Sequence, residues 1–314
     1  MRLSEVNESY AETDLKIFGH CRFSWFGISD TGREIKDIDD ARAKLWHPLR
    51  MAIRFHLFEN LMLPSLAAQT DQDFTLLITV SEDMPQIFQD RLDAAVAGHA
   101  FIRLNRTLSR DYAKLIRPFM AETTADGTER SAHFRLDDDD ALPASYIARL
   151  RKDADRVDTG GMVCYPRGIM GFLYDDRANH GFRVISFHAQ GLARIAGPGM
   201  LRSPLHMQHR SMGDIVPSYL DPTFIGFHFT QHGVNNTRGY ATTVHDRPET
   251  DRLVEMMRRG NPELTTGIDA PPSVDEALAA GFPFTDGPSI RAMLRETLDP
   301  QRLCELYGFP GDAI

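Results

Sequence analysis

The order of hydrophobic and polar positions predicts that the first two thirds of the chain alternate between short strands and helices. Residues 73–83, "DFTLLITVSED", are apolar on consecutive positions, as expected of a strand that is covered on both faces. The segments 15–24 and 131–136 are further predicted strands. Between the first two strands, leucine or isoleucine recurs at every fourth position from Leu49 to Leu61, which is typical of one helix face. This βαβ order predicts an α/β fold with a mostly parallel sheet flanked by helices.

After residue 143 the pattern changes. Residues 160–187 alternate short apolar runs with glycines and turn residues, which predicts a small antiparallel β part. Amphipathic stretches near the C-terminus, such as "SIRAMLRETLDPQRLCELYG", predict a helical tail. No linker-like stretch separates these parts of the sequence. We therefore predict a main domain over residues 1–250 and a helical appendage over 251–314 that packs on it.

Composition narrows the classes of function. The formal net charge of −9 and the pI of about 5.7 argue against a protein that binds nucleic acid, because phosphate contacts require a basic face. Cys21, Cys164 and Cys304 lie far apart, which favours free thiols in a reducing compartment. The sequence has neither the apolar core of a signal peptide nor a run long enough for an integral membrane segment. We expect a cytoplasmic protein.

The stretch "HFRLDDDDALP" places four aspartates, residues 137–140, behind a predicted strand. Adjacent carboxylates repel each other, so such a run is tolerated in water, at a helix terminus or around a cation. A strand end is where parallel sheets bind ligands. If the chain stays extended, Asp137 and Asp139 point the same way, with Asp138 facing away, while Asp140 is placed to cap the following helix. This spacing suits Mg²⁺ or Mn²⁺ and a diphosphate-bearing substrate.

Other aspartate-rich motifs fit less well. An EF-hand loop beginning at Asp137 requires glycine where Leu142 stands. A DDxxD motif lacks its final aspartate, since Ala141 and Leu142 occupy those positions, and the D-x-D-x-T of haloacid-dehalogenase phosphatases lacks its threonine. The sequence also lacks a P-loop and a G-x-S-x-G nucleophile motif.

Three segments carry a family resemblance. "RFHLFENLMLPSLAAQT", "RLDDDDAL" and "HGVNNT" together resemble the rhamnosyltransferase family of bacterial GT-A-like glycosyltransferases, over about residues 15–240. The resemblance implies a GT-A-like, Rossmann-like fold. It also implies a metal-dependent transferase that moves a sugar, with inversion, from a nucleotide-diphosphate donor such as dTDP-rhamnose to a glycan or lipid-linked acceptor.

The resemblance also implies roles for individual residues. Asp137 would contact the ribose or the donor sugar, and Asp139 would bind the metal. Asp83 falls where such enzymes hold the base or ribose, and Arg22 would lie near the nucleotide. His232 is the expected further metal ligand from the C-terminal part, and an imidazole suits Mn²⁺ better than Mg²⁺.

An inverting enzyme also needs a carboxylate that removes the proton of the acceptor hydroxyl. Asp214 is our candidate for this catalytic base, with Asp175 and Asp176 as alternatives, although their stretch "DDRANHG" is more simply explained as a hairpin turn. Arg50 and Arg54 are either diphosphate contacts or residues of a solvated helix face.

Two other classes of function remain open at this stage. The same aspartates could serve a metal-dependent phosphohydrolase or nucleotidyltransferase, or a non-catalytic module that binds nucleotide sugars. The spacings of His206 with His209 and of His228 with His232 resemble zinc ligand pairs, which makes a zinc hydrolase a more distant alternative.

Overall fold

The computed structural model describes residues 15–28, 35–123, 130–174, 177–200, 202–206, 209, 213, 215–232 and 273–311. Its strands are β1 (Lys16–Arg22), β2 (Thr75–Ser81), β3 (Ile102–Thr107), β4 (Ser131–Arg135), β5 (Met162–Cys164), β6 (Arg167–Tyr174), β7 (Arg177–Val184), β8 (Ala193–Ala196), β9 (Ser218–Leu220) and β10 (Ile225–Gln231). Its α-helices are α1 (Ile38–Asp40), α2 (Pro48–Leu57), α3 (Leu63–Ala67), α4 (Gln86–Val96), α5 (Tyr112–Leu115), α6 (Arg117–Thr123), α7 (Tyr146–Asp153), α8 (Val274–Gly281), α9 (Gly287–Glu296) and α10 (Pro300–Tyr307). Shorter helical turns of other types are Ala41–Leu45, Phe58–Met62 and Ala154–Arg156.

The main sheet has seven strands in the order β3-β2-β1-β4-β8-β5-β9. β1 is parallel to β2 and β4, and β3 is parallel to β2, whereas β8 is antiparallel to its neighbours β4 and β5. The carboxyl ends of the four parallel strands therefore open at one edge, where β4 delivers the aspartate run. The predicted mostly parallel sheet flanked by helices is confirmed.

The parallel strands separate two layers of side chains, because alternate residues point to opposite faces. Phe23, just after β1, packs on Phe55 of α2 with ring centroids 4.9 Å apart. On the other face, Phe18 and His20 lie 5.4 and 5.8 Å from the ring of Phe119 on α6. One face of the sheet thus lies against α2, and the other against α5 and α6.

The segment from Pro48 to Ala67 is helical throughout but not uniform. α2 passes into a wider π-type turn, Phe58–Met62, before α3 begins. Pro64 lies in the first turn of α3, where its missing N–H and its ring are tolerated. Pro64 therefore belongs to the start of a new helix, α3, rather than to the end of the helical segment. The π-type turn Phe58–Met62 joins α2 to α3.

A second sheet has the order β10-β6-β7. β6 and β7 form the expected antiparallel hairpin, and β10 joins β6 in parallel. α9 packs on this hairpin, and α10 packs on α2, where Phe309 contacts Phe55 and Phe88 at 5.5 and 4.9 Å between ring centroids. The C-terminal helices thus cover both the small sheet and α2. In the described ranges, no helix has the length and apolar character needed to span a bilayer.

Candidate active site at the carboxyl edge of the sheet

The four aspartates form a tight turn, which we call the acidic turn (Asp137–Asp140). β4 ends at Arg135, and the amide of Asp140 donates to the carbonyl of Asp137 at 3.3 Å. The chain then pairs with β10, because Ala141 and His228 exchange backbone hydrogen bonds of 2.9 and 2.8 Å. The expectation of an extended D-x-D segment is therefore wrong, and strand alternation does not set the direction of these side chains.

Asp138 and Asp139 converge on one cation. The guanidinium of Arg54, which is 5% exposed, forms ion pairs with both carboxylates. Asp138 is fully buried, so the prediction that it faces away from the site is wrong. The prediction of a solvated face is also wrong for Arg54, since a buried carboxylate pair requires a buried cation.

His232 reaches the same carboxylate from β10. Its Nε2 lies 3.0 Å from Oδ2 of Asp139, and both residues are buried. Burial lowers the pKa of His232, which favours the neutral imidazole that a metal ligand must be. Burial alone would raise the pKa of Asp139, but Arg54 and His232 outweigh it and hold that pKa below its usual value, so the carboxylate is ionised. The structure therefore brings the two predicted metal ligands together.

Asp140 is not a helix cap. It is buried and accepts hydrogen bonds from the backbone N–H of Thr230 at 2.8 Å and from the side chain of Gln190. The N-cap position of α7 belongs to Ser145. Burial raises the pKa of Asp140 well above its usual value, and the charges of Asp139 and Asp137 raise it further.

Thr230 fixes the acidic turn from a second side. Its hydroxyl donates to the carbonyl of Asp139 at 2.6 Å, while its N–H donates to Asp140. Thr230 on β10 and His232, directly after this strand, thus hold the turn from the same side. The alternation of polar residues in "HFTQH" is the sequence signal that could have identified Thr230.

The Gln-Thr pair at the end of α3 holds the chain after the acidic turn. The amide of Gln69 donates to the carbonyl of Pro143 and accepts from the N–H of Ile147, at 2.9 and 3.0 Å. The N–H of Thr70 donates to the carbonyl of Ala144 at 2.8 Å. The N–H of Leu142 also donates to the hydroxyl of Ser65 at 3.4 Å, so two of the segments that carry the family resemblance contact each other.

The remaining predicted residues lie at different places. Arg22 ends β1 and is half-buried, whereas Asp83 lies exposed in the turn after β2, at the same edge. Arg50 donates to the hydroxyl of Ser24 and to the carbonyl of Leu45, at 3.0 and 2.7 Å. Asp137 keeps a third of its side chain exposed.

The proposed catalytic base and both of its alternatives, Asp214, Asp175 and Asp176, fall outside the described residues. Their roles stay predictions.

The histidine pairs do not form joint sites. Nδ1 of His206 accepts from the N–H of Ser203 at 3.0 Å, whereas His209 binds the carbonyl of Phe187 at 2.5 Å. His228 packs against other rings, and only its neighbour His232 contacts the acidic turn. In the part of the chain that the structure describes, no three His, Cys, Asp or Glu side chains are grouped to hold a metal ion. These contacts give no support to a zinc hydrolase.

The acidic turn itself fits a divalent cation with few protein ligands. Asp139 is ionised and lies next to a neutral imidazole, and Mg²⁺ or Mn²⁺ fills the rest of its coordination shell with water and substrate oxygens. Arg54 already contacts Asp139 and would share it with the cation.

The fold and the geometry define an α/β protein whose candidate site lies at the carboxyl edge of a parallel sheet. A family profile described as "Putative rhamnosyl transferase" matches residues 16–243, which is more than half of the chain. The chain therefore belongs to this family of glycosyltransferases, and the resemblance seen in the sequence is confirmed. No curated protein matches the chain.

The chain also aligns with parts of solved structures. Residues 1–349 of S. aureus TarS in complex with UDP align at a TM-score of 0.34 and 8% identity, over 69% of this chain and 60% of that chain. The TarS complex with UDP-GlcNAc aligns at a TM-score of 0.34 and 9% identity, over 80% of this chain and 69% of that chain. A 4-diphosphocytidyl-2C-methyl-D-erythritol synthase aligns at a TM-score of 0.30 and 12% identity, over 76% of this chain and 99% of that chain. This chain thus spans less than two thirds of the first TarS chain.

Proposed function

We propose that the protein is a metal-dependent glycosyltransferase that moves a sugar, with inversion, from a nucleotide-diphosphate donor to a glycan or lipid-linked acceptor. The observation that carries the proposal is the contact between Asp139 and His232 at the carboxyl edge of a parallel sheet, in a member of a glycosyltransferase family. The family description favours rhamnose as the sugar and dTDP-rhamnose as the first donor to test.

Each residue has a task in this proposal. Asp139 and His232 would hold Mn²⁺ or Mg²⁺, which when bound would neutralise charge on the departing nucleoside diphosphate. Arg54 keeps Asp139 in place and adds positive charge at the same point. Asp137 is exposed enough to accept a hydrogen bond from a hydroxyl of the donor.

Two further contacts complete the proposal. Asp83 lies on the surface of the same edge, where it would contact the base or ribose, and Arg22 would lie near the nucleotide. Asp214 would remove the proton of the acceptor hydroxyl.

The test combines binding with product analysis. The protein is incubated with Mn²⁺ and a panel of nucleotide sugars that includes dTDP-rhamnose, and the melting temperature and slow donor hydrolysis are measured. We expect a cation-dependent rise in melting temperature and release of nucleoside diphosphate. Asp139→Asn should lose both responses. The matched control is Asp93→Asn, because Asp93 is exposed and its ion-pair partner Arg106 lies on β3, the edge strand of the main sheet.

The products separate the alternatives. An unchanged response in Asp139→Asn, or no stabilisation by any nucleotide sugar, would overturn the proposal. Release of nucleoside monophosphate and sugar phosphate would instead identify a phosphohydrolase or nucleotidyltransferase. Stabilisation without turnover on any acceptor would identify a binding module.

A further inference from the structure

The sheet face that lies against α5 and α6 carries three arginines on neighbouring strands. His20 on β1 pairs with Arg135 on β4, and His133 on β4 pairs with Arg194 on β8, so these side chains share one face. Arg135 is therefore diagonal to Arg194, and Arg22 follows His20 by two positions on the same face. We call Arg22, Arg135 and Arg194 the arginine cluster.

Among the described residues, the positive charge of this cluster exceeds the negative charge around it. Arg135 and Arg194 are each 8% exposed, and the Nε of each is inaccessible and has no hydrogen-bond partner within the described ranges. Oδ1 of Asp137 lies 3.3 Å from Nη2 of Arg135. Among the described residues, no carboxylate lies within ion-pair distance of Arg22 or Arg194.

Two titratable groups near the cluster, Tyr112 and His206, do not supply negative charge. Burial raises the pKa of Tyr112, and the nearby charges of Arg22 and Arg135 only partly oppose that rise, so its hydroxyl is neutral. Burial also lowers the pKa of His206, and Arg202 and Arg194 lower it further. Tyr112 thus lies near Arg22 and Arg135, and His206 lies near Arg194.

The histidines beneath the cluster are neutral as well. His20 and His133 bind each other, with 3.0 Å between Nε2 and Nδ1, and burial lowers the pKa of both. The hydroxyls of Tyr112 and Ser131 lie 3.3 and 2.9 Å from the two outer ring nitrogens. Tyr112, His20, His133 and Ser131 thus form a hydrogen-bonded series of neutral groups beneath the cluster.

A buried guanidinium without a carboxylate is costly, and it is unexpected in a chain with a net charge of −9. Guanidinium groups bind phosphate-type oxyanions through paired N–H donors. We propose that the arginine cluster binds an oxyanion of a substrate, a phosphate or a diphosphate, beside the acidic turn. This inference extends the proposed function. It rests on that function only for the identity of the substrate that carries the anion.

Asp137 connects the two sites. It belongs to the acidic turn, and its carboxylate contacts Arg135 of the cluster. An anion that displaces Asp137 from Arg135 would free this carboxylate to face a donor hydroxyl. The anion is either the diphosphate of the donor or a phosphate on the acceptor.

The test uses sodium phosphate as the probe, with sodium chloride at equal ionic strength as the reference. We expect phosphate to raise the melting temperature of the wild type and expect this shift to fall by at least half in Arg194→Gln. The matched control is Arg103→Gln, because Arg103 is exposed and paired with Glu122. Without phosphate, Arg194→Gln should melt no lower than the wild type, since it removes a buried charge that has no carboxylate partner among the described residues.

Equal phosphate shifts in the wild type and Arg194→Gln, or no shift beyond that of chloride, would overturn the inference. A lower melting temperature of Arg194→Gln without phosphate would also contradict it. The half-buried Arg22→Gln is a second variant of the cluster, and we expect it to lose the phosphate shift to the same extent. The proposed function would survive these failures as long as nucleotide sugars still act through Asp139.

Competition with UDP identifies the source of the anion. If UDP with Mn²⁺ abolishes the phosphate shift, the cluster binds the donor diphosphate. If phosphate still stabilises the protein when UDP is saturating, the cluster binds a phosphate of the acceptor. Either result supports the oxyanion site.

Discussion

The two sides of the sheet edge balance charge in opposite ways. On the α2 side, the carboxylates of Asp138 and Asp139 are buried against Arg54, and His232 adds a hydrogen bond. On the α5 and α6 side, Asp137 is the only carboxylate of the described residues that forms an ion pair with the arginine cluster, through Arg135. Internal pairing fixes the acidic turn within the folded chain, whereas Arg22 and Arg194 have no carboxylate partner in the part of the chain that the structure describes.

Because of this difference, removing a buried charge should affect stability differently on the two sides. Removing one partner of a buried ion pair exposes the full desolvation cost of the other partner. Removing a buried charge without a partner relieves that cost instead. Substitutions on the α2 side should therefore destabilise the fold, while matched substitutions in the arginine cluster should change ligand binding first.

The largest expected effect is on Arg54. Arg54→Met leaves Asp138 and Asp139 buried without a cation, which should lower the free energy of unfolding by about 3–5 kcal/mol. Urea unfolding at pH 7 measures this change. Adding Asp138→Asn to Arg54→Met should recover part of the loss, because one uncompensated carboxylate is then removed.

Arg103→Met serves as the control for Arg54→Met, since its ion pair with Glu122 is exposed and should contribute less than about 1 kcal/mol. Equal losses in the two variants would show that the ion pairs of Arg54 do not hold the acidic turn.

The second effect is on the pH dependence of stability. Burial lowers the pKa of His133 to about 3. As the pH falls below about 6.5, this imidazole is therefore protonated in the unfolded chain while it stays neutral in the folded chain. Stability should therefore fall as the pH falls from 6.5 towards 3. His133 contributes at most about 1.4 kcal/mol per pH unit to this slope.

Urea unfolding between pH 7 and pH 4.5 tests this prediction. His133→Gln should flatten the slope, whereas His99→Gln, at a half-buried position outside the cluster, serves as the reference. Identical slopes in the wild type and His133→Gln would rule out a buried neutral histidine beneath the arginine cluster. Loss of the Asp139 charge belongs to a lower pH range, because its pKa lies below the usual aspartate value.

Much of the frame around the site could be predicted from the sequence. Consecutive apolar residues identified β2, and the strand before the aspartates placed Asp137 at the sheet edge. Family resemblance identified Asp139 and His232, which are 93 residues apart and in contact. These predictions used either local periodicity or a pattern shared with relatives.

Other parts of the site depend on contacts that local patterns do not encode. The tight turn at Asp138 arises because Arg54 supplies a buried cation from a helix more than 80 residues earlier. Asp140 is buried because Thr230 and Gln190 donate to it. The arginine cluster depends on strand register across β1, β4 and β8, which hydrophobic spacing does not fix.

The smallest expected effect separates the two sides most cleanly. Thr230→Val keeps the size of the side chain but removes the hydroxyl that donates to the carbonyl of Asp139 at 2.6 Å. We expect a loss of about 1 kcal/mol in the free energy of unfolding. The response to Mn²⁺ with a nucleotide sugar should weaken because Asp139 is held less firmly, while the phosphate shift that depends on Arg194 should stay at its wild-type size. Thr230→Ser, which retains the hydroxyl, should restore the Mn²⁺ response. If Thr230→Val weakens the phosphate shift as much as the Mn²⁺ response, the acidic turn and the arginine cluster act as one site, and the contrast between the two sides of the edge does not hold.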